Sequence, residues 1–374
     1  MNILVISTVS YRSNGITQVI RNLYGNDWYK NDELSFLFPD DNDASLIAEL
    51  EDKGFTVYQF PRYENGIWSY YKFLKQIVRN KNIEIVHIHG NSHALIIELF
   101  ASMAEGCKIR ICHSHNTTCN NILVHKLISP LFNMLCTHRI ACGEAAGRWM
   151  YGNKEFIIIH NGINTEQFRF NIDSRNRIRN QYGIEENIIV IGHVGNLNKQ
   201  KNQGFLIDIM NKVKCREHYR LMLVGEGEKR AELERKALEL GIEDQVFFVG
   251  CTSDVPAYLS AMDVIAMPSL YEGLPLSLVE AQANGLNCVV SSAITEEAYI
   301  SGNVFFIKNE GSIEDWVNAI NHFSTDQDRV KSSDFAINAI RESGYEIDME
   351  ISRLYKLYVD LGKRNGKKNN TEYQ

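Results

Sequence analysis

Short runs of Val, Ile, Leu and Phe alternate along the chain with longer stretches whose apolar positions recur every three to four residues. Up to residue 160, β-rich runs fall at 2–8, 34–38, 56–60, 85–89, 108–113 and 157–160. Helical periodicity occupies 17–30, 44–53, 68–80 and 93–105 between them. Such alternation predicts a parallel sheet covered on both faces. The pattern then restarts, with strands expected at 187–193, 220–224, 246–249, 263–267, 287–291 and 304–307. Within it, Glu228–Leu240 is the clearest helix, with Leu233, Ala237 and Leu238 on one side and Gly241 as its stop. The polar stretch RFNIDSRNRIR (169–179) separates the two series and marks the expected boundary. The fold class predicted is α/β, with two Rossmann-like doubly wound domains over 1–172 and 173–345. Open parallel sheets bind ligands beyond the carboxyl ends of their strands. Two such sheets facing each other predict an interdomain cleft, lined by the loops after strands.

Composition narrows the function classes. Of 374 residues, 44% are hydrophobic and 23% charged, which excludes disorder as the main state. Lys plus Arg is 39 and Asp plus Glu 46, so the net charge is 39 − 46 = −7. An acidic balance argues against a nucleic-acid partner. The eight cysteines contain no C-x-x-C pair, against zinc-ribbon and thioredoxin-like chemistry. MNILVISTVS enters a strand at once, without a basic segment or cleavage site, and predicts no signal peptide. No apolar run reaches the ~18 residues of a spanning helix. A cytoplasmic protein with reduced thiols is expected.

The segment PSLYEGLPLSLVEAQANG (Pro268–Gly285) carries the most chemistry. A helix is expected to start at Pro275, after Gly273 and Leu274, leaving the N–H groups from Leu274 to Leu278 unpaired. Such an end attracts phosphate through its donors and its dipole. Glu272 and Glu280 bracket it. A carboxylate beside phosphate makes sense when it accepts hydrogen bonds from sugar or ribose hydroxyls; two glutamates favoured by the helix dipole are the plainer reading. Two histidine pairs, His87/His89 in VHIHG and His113/His115 in ICHSHNT, each share one face of an extended segment. Four imidazoles could gather a metal, but no aspartate accompanies them. Asp41 and Asp43 match a metal-binding D-x-D pattern, although aspartates there also cap helices. Ser13-Asn14-Gly15 lies between the first strand and first helix, where Gly15 either admits a ligand to the backbone or makes a turn.

EGLPLSLVE, an E-x7-E motif, resembles that of retaining glycosyltransferases with the GT-B fold, particularly family four. Further segments follow in that family's order over almost the whole chain: HNGINTEQF (160–168), GHVGNLNKQKN (192–202), LMLVGEGEKRAELE (221–234), VFFVG (246–250) and AMDVIAMPSLYEGLPL (261–276). The resemblance implies that Glu280 holds the nucleotide ribose and that Glu272 contacts the donor sugar. It implies further that Gly195, Asn196, Gly273, Leu274, Pro275, Leu276 and Ser277 line the donor, and that Lys201 neutralises the departing diphosphate. Asn196 departs from the family's arginine, so either Lys199 or a nearby arginine substitutes for that charge or catalysis is weaker. Gly15 stands where the family often has paired glycines. His115, or His113 one register away, matches the first-domain histidine near the sugar.

On this resemblance the last helix (346–361) crosses back onto the first domain, and 362–374 is a disordered tail. The implied reaction retains anomeric configuration and needs no metal or other cofactor. Its partners would be a nucleotide-sugar donor, most simply a UDP-sugar, and a glycan or lipid-linked acceptor in cell-surface polysaccharide synthesis. The apolar, partly basic stretch 121–136 and the lysines of the tail suit peripheral contact with the inner face of the cytoplasmic membrane, as they suit a buried helix and a solvated tail. A sugar-nucleotide 2-epimerase of the same fold, and a non-catalytic sugar-nucleotide-binding protein, are the rival readings.

Overall fold

The computed structural model describes residues 1–12, 14–25, 27–61, 66–119, 121–213, 216–308, 311–324 and 328–369. Ser13 and residues 370–374 lie outside the described residues. The chain divides into two compact units, Met1–Gly162 with Ile347–Gln374, and Ile163–Glu346.

The first unit holds seven strands: β1 (Asn2–Ser7), β2 (Glu33–Phe38), β3 (Thr56–Gln59), β4 (Ile85–His89), β5 (Ile109–Ser114), β6 (His138–Ala141) and β7 (Ile157–Ile158). All pair in parallel in the order β3-β2-β1-β4-β5-β6-β7. Helices on both faces bury β1 completely, so Ile3, Leu4, Val5 and Ile6 run together rather than alternating with polar residues. The second unit repeats the plan with β8 (Ile189–Val194), β9 (Tyr219–Val224), β10 (Val246–Gly250), β11 (Val264–Met267), β12 (Asn287–Ser291) and β13 (Val304–Ile307). Its order is β10-β9-β8-β11-β12-β13, again all parallel. Each sheet reverses its winding once, beside β1 and β4 in the first unit and beside β8 and β11 in the second. Doubly wound sheets hold ligands at that reversal.

The departures from the sequence reading have physical causes. No strand was expected between 113 and 157, yet helices Ile122–Leu127 and Ser129–Leu135 give way to β6. Arg110 ends the second helix by donating Nε–H to the Leu135 carbonyl, and Thr137 bonds the Arg110 backbone, which starts the new strand. The polar stretch 169–179 is not a linker. It contains most of the helix Ile172–Gln181, where Arg175 and Arg179 pair with Asp263 at 2.7 and 3.2 Å. The last helix spans Ile347–Asn369 and so continues past residue 361, where a tail was expected.

The two ends of the second unit adjoin. Ile163 and Glu346 form a parallel bridge, and the Ile163 N–H donates to the Tyr345 carbonyl at 2.9 Å. The final helix packs in the first unit, burying Ile351, Leu354 and Tyr358.

Candidate functional site

In the second unit, the chain leaving β8 turns at Gly195, whose φ of 154° suits glycine. A Cβ there would stand 3.3 Å from Cε of Lys201, so the lysine stem crosses directly over this glycine. Gly225 and Gly227 support the same turn from beneath, where a Cβ at either would meet the carbonyl oxygen of Gly195 or Leu197 at 2.2 Å. This close backbone packing, quoted in sequence only as part of a motif, is what makes GEG necessary.

Three bonds fasten the β8 loop to the loop after β11. The Leu270 N–H donates to the Gln200 carbonyl (2.8 Å), Gln200 Nε2 to the Tyr271 carbonyl (2.9 Å), and Asn202 Nδ2 to the Pro268 carbonyl (3.2 Å). They bring Lys201 Nζ to 2.5 Å from Glu272 Oε1, with the side chains only 14% and 9% exposed. Lys201 and Glu272 are thus joined in an ion pair. This was not legible in sequence, where the two were given separate tasks.

The helix after this loop spans Leu276–Ala283, and Pro275 is its N-cap rather than its first residue. The Leu278 N–H donates to the Pro275 carbonyl at 3.0 Å, so it drops out of the expected free row. Gly273, Leu274, Leu276 and Ser277 keep N–H groups without a partner among the described residues. Glu280 projects from the second turn. Part of the residue meets solvent, yet burial pushes its carboxyl up to about 7. Asn196 offers no charge. Arg230 is engaged by Glu226 and Glu234, which leaves exposed Lys199 as the nearest cation in sequence to replace the family arginine.

In the first unit, Asn14 caps the helix Gly15–Tyr24 by accepting from the Thr17 N–H at 3.0 Å. A Cβ on Gly15 would meet nothing within 4 Å, so space lies open above the loop. His115 lies just past β5. The His115 backbone N–H donates to Asn91 Oδ1 at 2.7 Å. Its ring meets Asn161 through Nδ1 (3.1 Å) and His89 through Nε2 (2.8 Å). Burial lowers its pKa to about 4, against the opposing effect of its hydrogen bond to Asn161 Oδ1. Burial likewise depresses His87, to about 3, and His89 and His113. All four rings are neutral near pH 7. Asn91 and Asn161 were missed as site residues, although Asn161 stands inside HNGINTEQF.

His87, His89 and His113 bring one ring nitrogen each within 4.8 Å of one another. Their rings stack, however, at 14° between His87 and His89 and 20° between His87 and His113. Stacked imidazoles point their lone pairs side by side, whereas a tetrahedral ion needs them to converge. The D-x-D aspartates have structural duties: Asp43 caps the helix Ala44–Asp52 through Ser45, and Asp41 pairs with Arg12.

The model of the family described as "Glycosyl transferases group 1" matches residues 174–342, nearly the whole second unit. A putative glycosyltransferase of Bacillus subtilis, EpsF, is 29% identical over 363 residues, covering 92% of this chain and 93% of that one. The second unit is a group 1 glycosyltransferase domain. An Escherichia coli member, named as a UDP-Gal:alpha-D-GlcNAc-diphosphoundecaprenol alpha-1,3-galactosyltransferase, is 27% identical and covers 78% of each chain. The crystal structure of HepE from Anabaena in complex with UDP-glucose superposes with a TM-score of 0.75 at 20% identity, over 96% of this chain and all of that one. The fold of this glycosyltransferase is GT-B, two parallel-sheet α/β units of seven and six strands.

Proposed function

We propose that this glycosyltransferase moves a sugar, with retention, from a UDP-sugar to a glycan or lipid-linked acceptor in cell-surface polysaccharide synthesis, without a metal. The observation that carries the proposal is the juxtaposition of Lys201 and Glu272 beside the unpaired N–H groups of Gly273, Leu274, Leu276 and Ser277. A cation and four fixed donors suit a diphosphate whose charge grows as the sugar departs. Glu272 accepts sugar hydroxyls, and Glu280, deeper in the helix, accepts those of the ribose. By resemblance, His115 orients the sugar. The acceptor hydroxyl attacks the anomeric carbon on the face the diphosphate leaves, and its proton passes to a leaving phosphate oxygen. The nucleotide base and lipid-linked acceptor follow the name of the Escherichia coli relative.

The test begins with thermal shifts against UDP, GDP, ADP and their sugars, since a ligand at 100 times its Kd adds about 2.7 kcal/mol. The stabilising donor is then incubated with candidate acceptors in excess EDTA, and the product's anomeric configuration is read by NMR. Turnover is expected to persist with retention. Loss in EDTA with rescue by manganese would overturn the metal-free reading. An epimer formed from donor alone would favour the epimerase, and donor binding without turnover a non-catalytic role.

A lipid-linked acceptor requires access to a membrane surface. No helix among the described residues is long and apolar enough to cross one. The helices at 122–135 instead expose Leu123 (76%), Leu127 (79%) and Met134 (71%), with Lys126 among them. This face suits shallow insertion into anionic lipid. Co-sedimentation with vesicles containing phosphatidylglycerol is expected, and the double substitution Leu123→Glu, Leu127→Glu should release the protein. Equal binding by that variant would exclude this face.

A further inference from the structure

Three histidines of the first unit, His87, His89 and His115, are joined to two tyrosines and an asparagine, and the bonds have a direction. From Asn161 Oδ1 the contacts run to His115 Nδ1 (3.1 Å), from His115 Nε2 to His89 Nδ1 (2.8 Å), and from His89 Nε2 to the Tyr24 hydroxyl (3.3 Å). They continue from Tyr24 to the Tyr358 hydroxyl (2.9 Å) and from Tyr358 to His87 Nδ1. His87, His89, Tyr24 and Tyr358 are fully buried, and Asn161 is nearly so.

A carbonyl oxygen only accepts. With Oδ1 of Asn161 facing it, His115 must carry its proton on Nδ1 and offer a lone pair at Nε2. His89 must then donate from Nδ1 and accept from Tyr24 at Nε2. Tyr24 accepts from Tyr358, and Tyr358 from His87 Nδ1–H. His87 Nδ1 also lies 2.9 Å from the Tyr24 hydroxyl, so its proton is shared between the two phenol oxygens. The far end agrees: His87 Nε2 has no partner, and in this direction it is a bare lone pair. Reversing the chain would place a proton there, leaving a buried N–H without an acceptor, the rarer and costlier defect.

We propose that this one-way chain makes Tyr24, His89, Asn161 and Tyr358 positioning residues that hold His115 as its Nδ1–H tautomer. The ring then serves as an oriented neutral dipole and not as a proton acceptor. The proposal rests on the transferase reading for what His115 does to substrate, but not for its tautomer. Both ring nitrogens of His115 are committed within the first unit. The ionisable groups acting among its partners are the imidazoles of His87 and His89 from β4 and His113 from β5, whose pKa burial lowers, and the phenols of Tyr24, Tyr29 and Tyr358, whose pKa burial raises.

The test is 15N NMR of the full chain with labelled histidine, the His115 signal being assigned by its loss in His115→Gln. At pH 7 a proton fixed on Nδ1 is expected. A proton on Nε2, or a rapid mixture of both tautomers, would overturn the proposal. His89→Leu removes the donor to Nε2, so the tautomers should mix. The kcat should fall while donor KM holds. His89→Gln restores an N–H donor and should reverse both changes. Tyr24→Phe removes only a hydroxyl, and it provides the same tautomer measurement if His89→Leu does not fold. An unchanged tautomer in both His89→Leu and Tyr24→Phe, or in Tyr24→Phe alone where His89→Leu is unfolded, refutes the chain. The NMR reading needs no substrate. An active enzyme with the wrong tautomer therefore defeats only this inference, and the right tautomer in a protein inert to all sugar nucleotides defeats only the transferase reading.

Discussion

Lys201→Ala is expected to lower kcat by roughly 10²–10³, the scale for losing one preorganised electrostatic donor. Donor affinity should fall less, because the lysine acts most strongly when the departing diphosphate carries its extra charge. The ion pair sharpens the expectation for its partner. With Lys201 Nζ held 2.5 Å from Glu272, an arriving diphosphate must compete with a carboxylate for the same ammonium group. Glu272→Ala frees the lysine and removes a negative charge from the phosphate position. Calorimetry should therefore find free UDP binding as tightly as to the parent or more tightly, while turnover of the UDP-sugar collapses. Asn196→Arg tests the remaining charge. If the phosphate side lacks a cation, kcat holds or rises; if Lys199 already fills the place, it falls. Normal kcat in Lys201→Ala would mean that the diphosphate is neutralised elsewhere.

Glu280→Gln should weaken UDP and UDP-sugar equally, by about 1.5–3 kcal/mol, the range for hydrogen bonds to a charged group. The ribose is common to both ligands. The same substitution should stabilise the empty protein. Burial raises the carboxyl from 4.5 in the unfolded chain to about 7 in the folded one. The folded state therefore holds a proton that the unfolded state has released between these values. The Glu280 contribution to stability is greatest below pH 4.5 and declines as pH rises, by up to about 3 kcal/mol once pH passes 7. Glutamine has no charge to desolvate and lacks this decline. At pH 8 the variant should melt higher than the parent, and near pH 4 the two should converge. Nucleotide affinity of the parent should weaken below pH 7 as the carboxylate takes up its proton. A folded Glu280→Gln protein with unchanged UDP affinity would remove Glu280 from the ribose contact.

The strands were readable because a parallel sheet buried on both faces writes them as unbroken apolar runs; β4, β12 and β13 fall where those runs do. β6 escaped because His138 and Arg139 interrupt its apolar pattern, and the preceding helices share its hydrophobicity. In the site, the helix proposed to bind phosphate could be placed from Gly273 and Pro275 to within a residue. What sequence spacing could not supply was the pairing of Lys201 with Glu272, which depends on bonds between loops some seventy residues apart. The histidine chain was hidden for a similar reason. His87 and His89 announce themselves by spacing, but Tyr358 reaches them only because the last helix packs in the first unit.

That helix also imposes an order on synthesis. Translation completes the second unit at Glu346, whose ends are already side by side, before it makes the helix that the first unit requires. Until Tyr358 leaves the ribosome, Tyr24 and His87 face an unfilled core, and the first-made half of the molecule waits on the last-made segment. Domains usually fold from the N-terminus as they emerge. Here the second unit is able to finish first, and the nascent first unit is the part left exposed to chaperones and proteases.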